Sequence, residues 1–127
     1  YMFTNKGGKR MILDIVGKEQ FREKIRENNP ELKKKIQGAF EKIHNEPLRC
    51  LSFTKFDRFF RDGDRKAYEK DYFSLLERLS VCCVMSMLFP EEKEYSAMAE
   101  DAIWAVCDEF TWVLPAHLQE IKHRRRT

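Results

Sequence analysis

The chain has 127 residues, enough for one domain that buries roughly two-thirds of its unfolded surface. With 43% hydrophobic, 13% aromatic and 35% charged residues, it is too apolar for a disordered polyelectrolyte and too charged for a membrane bundle. Lys plus Arg outnumber Asp plus Glu by only 24 to 21, which excludes the strongly basic balance of a dedicated phosphate-backbone binder.

The opening YMFTNKGGKRMILDIVG mixes glycines and charges around a short apolar run that Asp14 interrupts, and it lacks the cleavage pattern of a secretory signal. The apolar run Met11-Ile12-Leu13 is compatible with a strand, a helical turn or a mobile leader over residues 1–17, and residues 18–127 are expected to form a single helical domain. Because the first residue is Tyr rather than Met, the natural start need not be included. Phe21 and Ile25 lie one turn apart and predict a short helix, which Asn28-Asn29 stops before Pro30 opens a second. In that second helix Leu32, Ile36, Ala39, Phe40 and Ile43 form an apolar stripe, with Lys33, Lys34, Lys35 and Glu41 toward the other face.

The segment HNEPLRCL, residues 44–51, reads as a connection, with Ser52 as the cap of a brief helix. Phe53, Phe56, Phe59 and Phe60 give that helix an aromatic face, and Asp62-Gly63-Asp64 ends it. A long helix follows, in which Tyr68, Tyr72, Leu75, Leu76, Leu79, Cys82, Cys83, Ser86 and Met87 make the predicted stripe as far as Phe89-Pro90. Its charges thin out toward the C-terminal end, so that end is expected to be buried nearly all round.

Glu91, Glu92 and Glu94 supply an acidic first turn for a second long helix whose apolar set is Tyr95, Met98, Ala99, Ala102, Ile103, Ala105, Val106 and Phe110. Its small residues permit close approach to the preceding helix, which predicts an antiparallel hairpin with Trp104 in the core. The period breaks at Pro115, and no segment alternates reliably enough for a strand. The expected fold class is all-α, and the longest apolar run, Val81 to Phe89, is far short of the roughly 20 residues of a membrane span.

Cys50, Cys82, Cys83 and Cys107 form no C-x-x-C pair and are expected to be buried reduced thiols, which favours a reducing, cytoplasmic setting. His44, His117 and His123 share no metal spacing with each other or with the cysteines, so neither a metal site nor a cofactor is expected. Phosphate-loop, dinucleotide and serine-hydrolase motifs are all missing. The triple lysine at 33–35 and the run Lys122-His123-Arg124-Arg125-Arg126 could meet phosphates, with Phe56 or Tyr72 stacking on bases. Lysines on one side of an amphipathic helix are ordinarily solvated and phenylalanines at helical spacing ordinarily core, so nucleic acid is not the expected partner.

The stretch WAVCDEFTWVLPAH, residues 104–117, is the most informative. It places Asp108, Glu109, Thr111, Trp112 and His117 around a helix end. There they could offer an aromatic sugar platform, carboxylates and an imidazole that changes protonation near neutral pH. Each also has a purely structural reading: the carboxylates solvated or paired with arginine, the histidine satisfying a loop carbonyl.

Two stretches in order, FTKFDRFFRDGDRKAYEKDYFSLLERL at 53–79 and DAIWAVCDEFTWVLPAHL at 101–118, resemble the N-terminal helical region of heparinase II/III-like proteins. The second is the more specific, and the intervening VCCVMSMLFPEEKEYSAMAE matches only in helical character. The resemblance implies an α/α toroid built of antiparallel helical hairpins around a cleft, usually followed by a β-rich domain. The present chain would be the beginning of it, an incomplete toroid. The implied chemistry is β-elimination from a uronic-acid polysaccharide. Family members carry the principal catalytic tyrosine and histidine beyond the position of Thr127, so no catalytic residue is carried onto this chain.

On this reading the partner is an acidic polysaccharide bound through the parent protein, with Trp112, His117, Glu109 and Thr111 facing the glycan. Inward helix faces would lack later hairpins, so exposed apolar surface is expected, covered by self-association or by the remainder of the toroid. The alternative is a small helical interaction or scaffolding module without catalytic activity.

Overall fold

A computed structural model describes residues 19–109 and 111–118. Five α-helices follow in order, α1 Glu19–Arg26, α2 Pro30–His44, α3 Phe53–Asp62, α4 Lys66–Leu88 and α5 Lys93–Cys107, and then a 3-10 turn, Pro115–His117. The described residues contain no strand, so the fold class is all-α. None of their helices is long and apolar enough to cross a membrane. The expected leader, Phe110 and the basic run 122–126 lie outside the described residues.

Local chemistry sets the helix ends. The Asn29 side chain accepts the Leu32 N–H at 3.1 Å, with Pro30 in the first turn of α2, and Ser52 Oγ accepts the Lys55 N–H at 3.3 Å to open α3. Asp64 Oδ1 accepts the Lys66 and Ala67 N–H groups at 3.0 and 3.4 Å, doing the same for α4. Gly63 closes α3 in the left-handed region, φ 79°, and its N–H donates to the Phe59 carbonyl at 3.1 Å. A Cβ built on Gly63 would meet nothing within 4 Å, so Gly63→Ala tests backbone strain alone. A loss of about 1 kcal/mol is expected in urea denaturation; no loss would mean that the turn relaxes.

Helices α4 and α5 form the expected antiparallel hairpin, α2 packs along α4, α1 bridges α2 and α4, and α3 lies against α4. Phe40 and Ile43 of α2, Cys82 and Met85 of α4 and Ala99 of α5 make the core cluster. Buried Ala99 and Ala102 give α5 the smooth face on which α4 sits, and Phe40 meets Tyr95 edge-on with ring centroids 4.8 Å apart. Between Val81 and Pro90 no residue is exposed, as the thinning of charge predicts.

The buried line of α4 differs from the predicted stripe. It runs Tyr68, Asp71, Leu75, Arg78, Cys82, Met85 and Leu88, so its centre includes two charged residues. Asp71 is 3% exposed and its carboxylate is held by Arg49, at 3.3 Å, and by Lys55. Arg78 Nη2 donates to the Ile43 carbonyl at 3.0 Å and to the Glu46 carbonyl, a buried cation at the negative end of α2. Arg22 plays a parallel part: α4 has no basic residue in its last turn, and Arg22 Nε donates to the Met87 carbonyl at 3.0 Å.

Two expectations are corrected. Trp104, predicted to be core, is 80% exposed, because it lies two residues past Ala102 and so turns away from α4. Of the cysteines, only Cys82 is buried and Cys83 partly so, while Cys50 and Cys107 are exposed; all four are free thiols. Burial pushes the Cys82 and Cys83 thiols up, keeping them protonated and unreactive.

Candidate functional site

The C-terminal end of α5 builds the site. The helix closes where the Asp108 N–H donates to the Trp104 carbonyl at 3.1 Å, and the Glu109 N–H donates to the Val106 carbonyl at 3.3 Å. The chain then turns back along α4. Trp112 is held at two points: its indole Nε1 donates to the Val106 carbonyl at 3.1 Å, and its own carbonyl accepts the Tyr72 hydroxyl at 3.1 Å. Thr111 Oγ1 accepts the Val113 N–H at 3.2 Å, and the 3-10 turn, with Pro115 buried, rests on α3.

Folding back leaves two concavities. The larger, about 410 Å³, lies between Phe53 and Phe56 of α3, Tyr68 of α4 and the turn residues Asp108, Glu109 and Thr111. The smaller, about 150 Å³, is bounded by Tyr72, Leu76, Val106, Glu109 and Trp112. Leu51 and Glu109 line both. Of the four candidates read from the sequence, Glu109, Thr111 and Trp112 therefore converge. His117 lines neither concavity: it sits exposed on the 3-10 turn, with its N–H donating to the Leu114 carbonyl at 2.9 Å.

Partial burial and then the neighbouring Asp108 carboxylate push the Glu109 carboxyl above the usual carboxylate range. Burial, the Glu109 charge and Tyr72 push the Tyr68 phenol up as well. Neither Asp108 nor Glu109 has a side-chain hydrogen-bond or ion-pair partner among the described residues, and no Lys or Arg lines either concavity. The described residues hold no group of three or more His, Cys, Asp or Glu placed to bind a metal ion.

Three contributors escape a reading of periodicity. Phe53 looks like part of an aromatic core face but is 72% exposed on the cavity's rim. Ser52 reads only as a helix cap, and Tyr68 only as a member of the α4 stripe. Tyr68 is buried as its spacing predicts, yet it also lines the cavity. Adjacency to Asp64 and the α4 start gives no hint of that, since the opposing wall comes from residues about 40 positions later.

Searches against protein-family models, curated proteins and solved structures find no match to this chain.

Proposed function

We propose that this chain is the leading helical part of a polysaccharide lyase of the heparinase II/III-like kind, which cleaves uronic-acid-containing glycans by β-elimination. In this reading the chain supplies a wall of the glycan cleft, and later parts of the parent protein supply the reacting base and acid. The observation that carries the proposal is Trp112: a 66% exposed indole, fixed by hydrogen bonds at both its ring and its carbonyl, beside a concavity whose polar side chains are Glu109 and Tyr72. An apolar face held without rotational freedom is the platform on which the C–H face of a sugar ring packs, and nearby polar groups orient the sugar hydroxyls.

In β-elimination a base removes the proton α to the uronate carboxyl group, and an acid protonates the departing glycosidic oxygen. The negative charge that builds on the carboxylate needs cationic or hydrogen-bonding partners. No cation among the described residues lines the two concavities, so this wall serves a sugar next to the uronate and leaves the uronate to the rest of the cleft. The incomplete-toroid arrangement is supported by Trp104 and Ile103, 80% and 46% exposed on the side of α5 turned from α4, where a further hairpin would pack.

The test is an ultraviolet assay for unsaturated uronate, run on this chain and on the product of the whole reading frame that contains it, with heparan sulfate, hyaluronan, chondroitin and alginate. Product from the longer protein alone is expected, with Trp112→Ala in that protein raising KM about tenfold through loss of the platform. No product from any of the four glycans overturns the lyase reading. That result would favour the second reading, a helical interaction module. Its partner would cover Trp104 and Ile103, and Trp104→Ser would then abolish capture of that partner.

A further inference from the structure

The larger cavity has a composition that the lyase reading does not require. It sets two carboxylates, Asp108 and Glu109, against aromatic walls from Phe53, Phe56 and Tyr68, and no lysine or arginine among the described residues lines it. Tyr68 is only 3% exposed, and its hydroxyl has no hydrogen-bond partner among the described residues even though the side chain lines the cavity. That hydroxyl therefore keeps its hydrogen-bonding capacity for a ligand, and burial first and then the nearby Glu109 carboxylate push the phenol up. Two carboxylates without a partner among the described residues, a phenol oxygen free to accept and ring faces in one concavity of about 410 Å³ all favour the same chemistry, a small organic cation.

We infer that this cavity holds a protonated primary amine. On the glycan reading above, the amine belongs to an unacetylated amino sugar next to the uronate. The ammonium donates to Glu109 and Asp108, and its third N–H reaches the Tyr68 oxygen. The carbon body packs between Phe53 and Phe56, with Thr111 Oγ1 and Ser52 Oγ available to hydroxyls. A uronate or sulfate placed here would face two like charges with no compensating cation among the described residues, so the cavity selects against them.

Neighbouring charges do not supply the missing cation. Lys55, on the adjacent helix α3, is committed to Asp71, and so is Arg49. Arg58 and Arg61 pair with Asp62, Asp64 and Asp57. An incoming ammonium therefore displaces none of these ion pairs, and it offsets the burial and, second, the Asp108 repulsion that together hold the Glu109 carboxyl up.

The test is calorimetric titration of the chain with three probes: the unacetylated glucosamine disaccharide, its fully N-acetylated counterpart, and benzylamine. The expected result is saturable binding of the amine disaccharide and at least tenfold weaker binding of the N-acetylated one. Glu109→Gln and Tyr68→Phe, each checked for native helical content, are expected to weaken the amine disaccharide about tenfold and about threefold, the first being the loss of a charge-assisted bond.

Equal affinity for the two disaccharides overturns the ammonium assignment while leaving the glycan wall in place. Benzylamine binding without either disaccharide keeps the ammonium and overturns its sugar source, and with that the glycan reading of this wall. No binding of any probe, or full affinity in both folded variants, overturns the inference itself.

Discussion

The double variant Arg49→Ala with Lys55→Ala is expected to lose about 3 kcal/mol of stability, because it strips both cations from a carboxylate that cannot return to water. Asp71 is 3% exposed, whereas its partners Arg49 and Lys55 lie near the surface. That asymmetry decides the outcome. Asp71→Ala releases two cations that rehydrate, and is expected to cost only about 1–2 kcal/mol. Either cation removed alone leaves the other in place, so each single variant should fall below half of the double's loss. Adding Asp71→Leu to the double variant should restore most of the stability, since no buried charge then remains. Urea denaturation of the five proteins checks the ordering. If the double loses no more than the sum of its singles, and the leucine gives no rescue, then Asp71 is reached by water and its burial is not what the pair compensates.

Arg78→Met carries the second large effect, an expected loss of about 2–3 kcal/mol. The methionine fills a similar volume and removes a desolvated cation, which offsets part of the penalty. It also deprives the Ile43 carbonyl of its charged donor, leaving it the backbone Glu46 N–H at 3.1 Å, and takes a positive charge from the C-terminal end of α2. The Glu46 carbonyl lies closer to solvent and recovers a water. Arg78→Lys retains the charge but not a guanidinium that meets two carbonyls in fixed directions, so it should fall between wild type and Arg78→Met. Because Arg78 ties the end of α2 to the middle of α4, amide exchange should accelerate first at residues 40–46 and leave the α4–α5 hairpin protected. Uniform acceleration would show that α2 does not open on its own.

The helix boundaries are local properties and could be read from the chain directly. Asn29 before Pro30, Ser52 three residues ahead of the Lys55 N–H, Gly63 after an amphipathic run and Phe89-Pro90 each act on backbone groups within one turn. The pairing of α4 with α5 was equally accessible, because Ala99 and Ala102 stand at the spacing that lets two helices approach. The candidate site was partly accessible for the same reason. Glu109, Thr111 and Trp112 fall within four positions, so any fold that turns there gathers them, while His117 lies one turn too far and faces out.

Misreadings arose where burial depends on a distant partner. Periodicity alone assigns an α4 residue to the core by its apolarity, so Tyr72 and Leu79 were placed in the stripe and Asp71 and Arg78 outside it. Asp71 is inside because Arg49 and Lys55, 22 and 16 positions earlier, neutralise it. Arg78 is inside because its guanidinium meets two carbonyls at the end of α2, those of Ile43 and Glu46, 35 and 32 positions earlier. Trp104 is the opposite case, an aromatic residue on a helical face that no helix among the described residues covers.

The chain by itself therefore determined an all-helical protein, the ends of its helices and the turn that gathers a glutamate, a threonine and a tryptophan, since those follow from hydrogen bonds and spacings within a few residues. Its three-dimensional packing decided which charges are buried, which aromatic residues face solvent and that Tyr68 meets Glu109 across a cavity. Each of those outcomes depends on a desolvation balance between groups far apart in sequence.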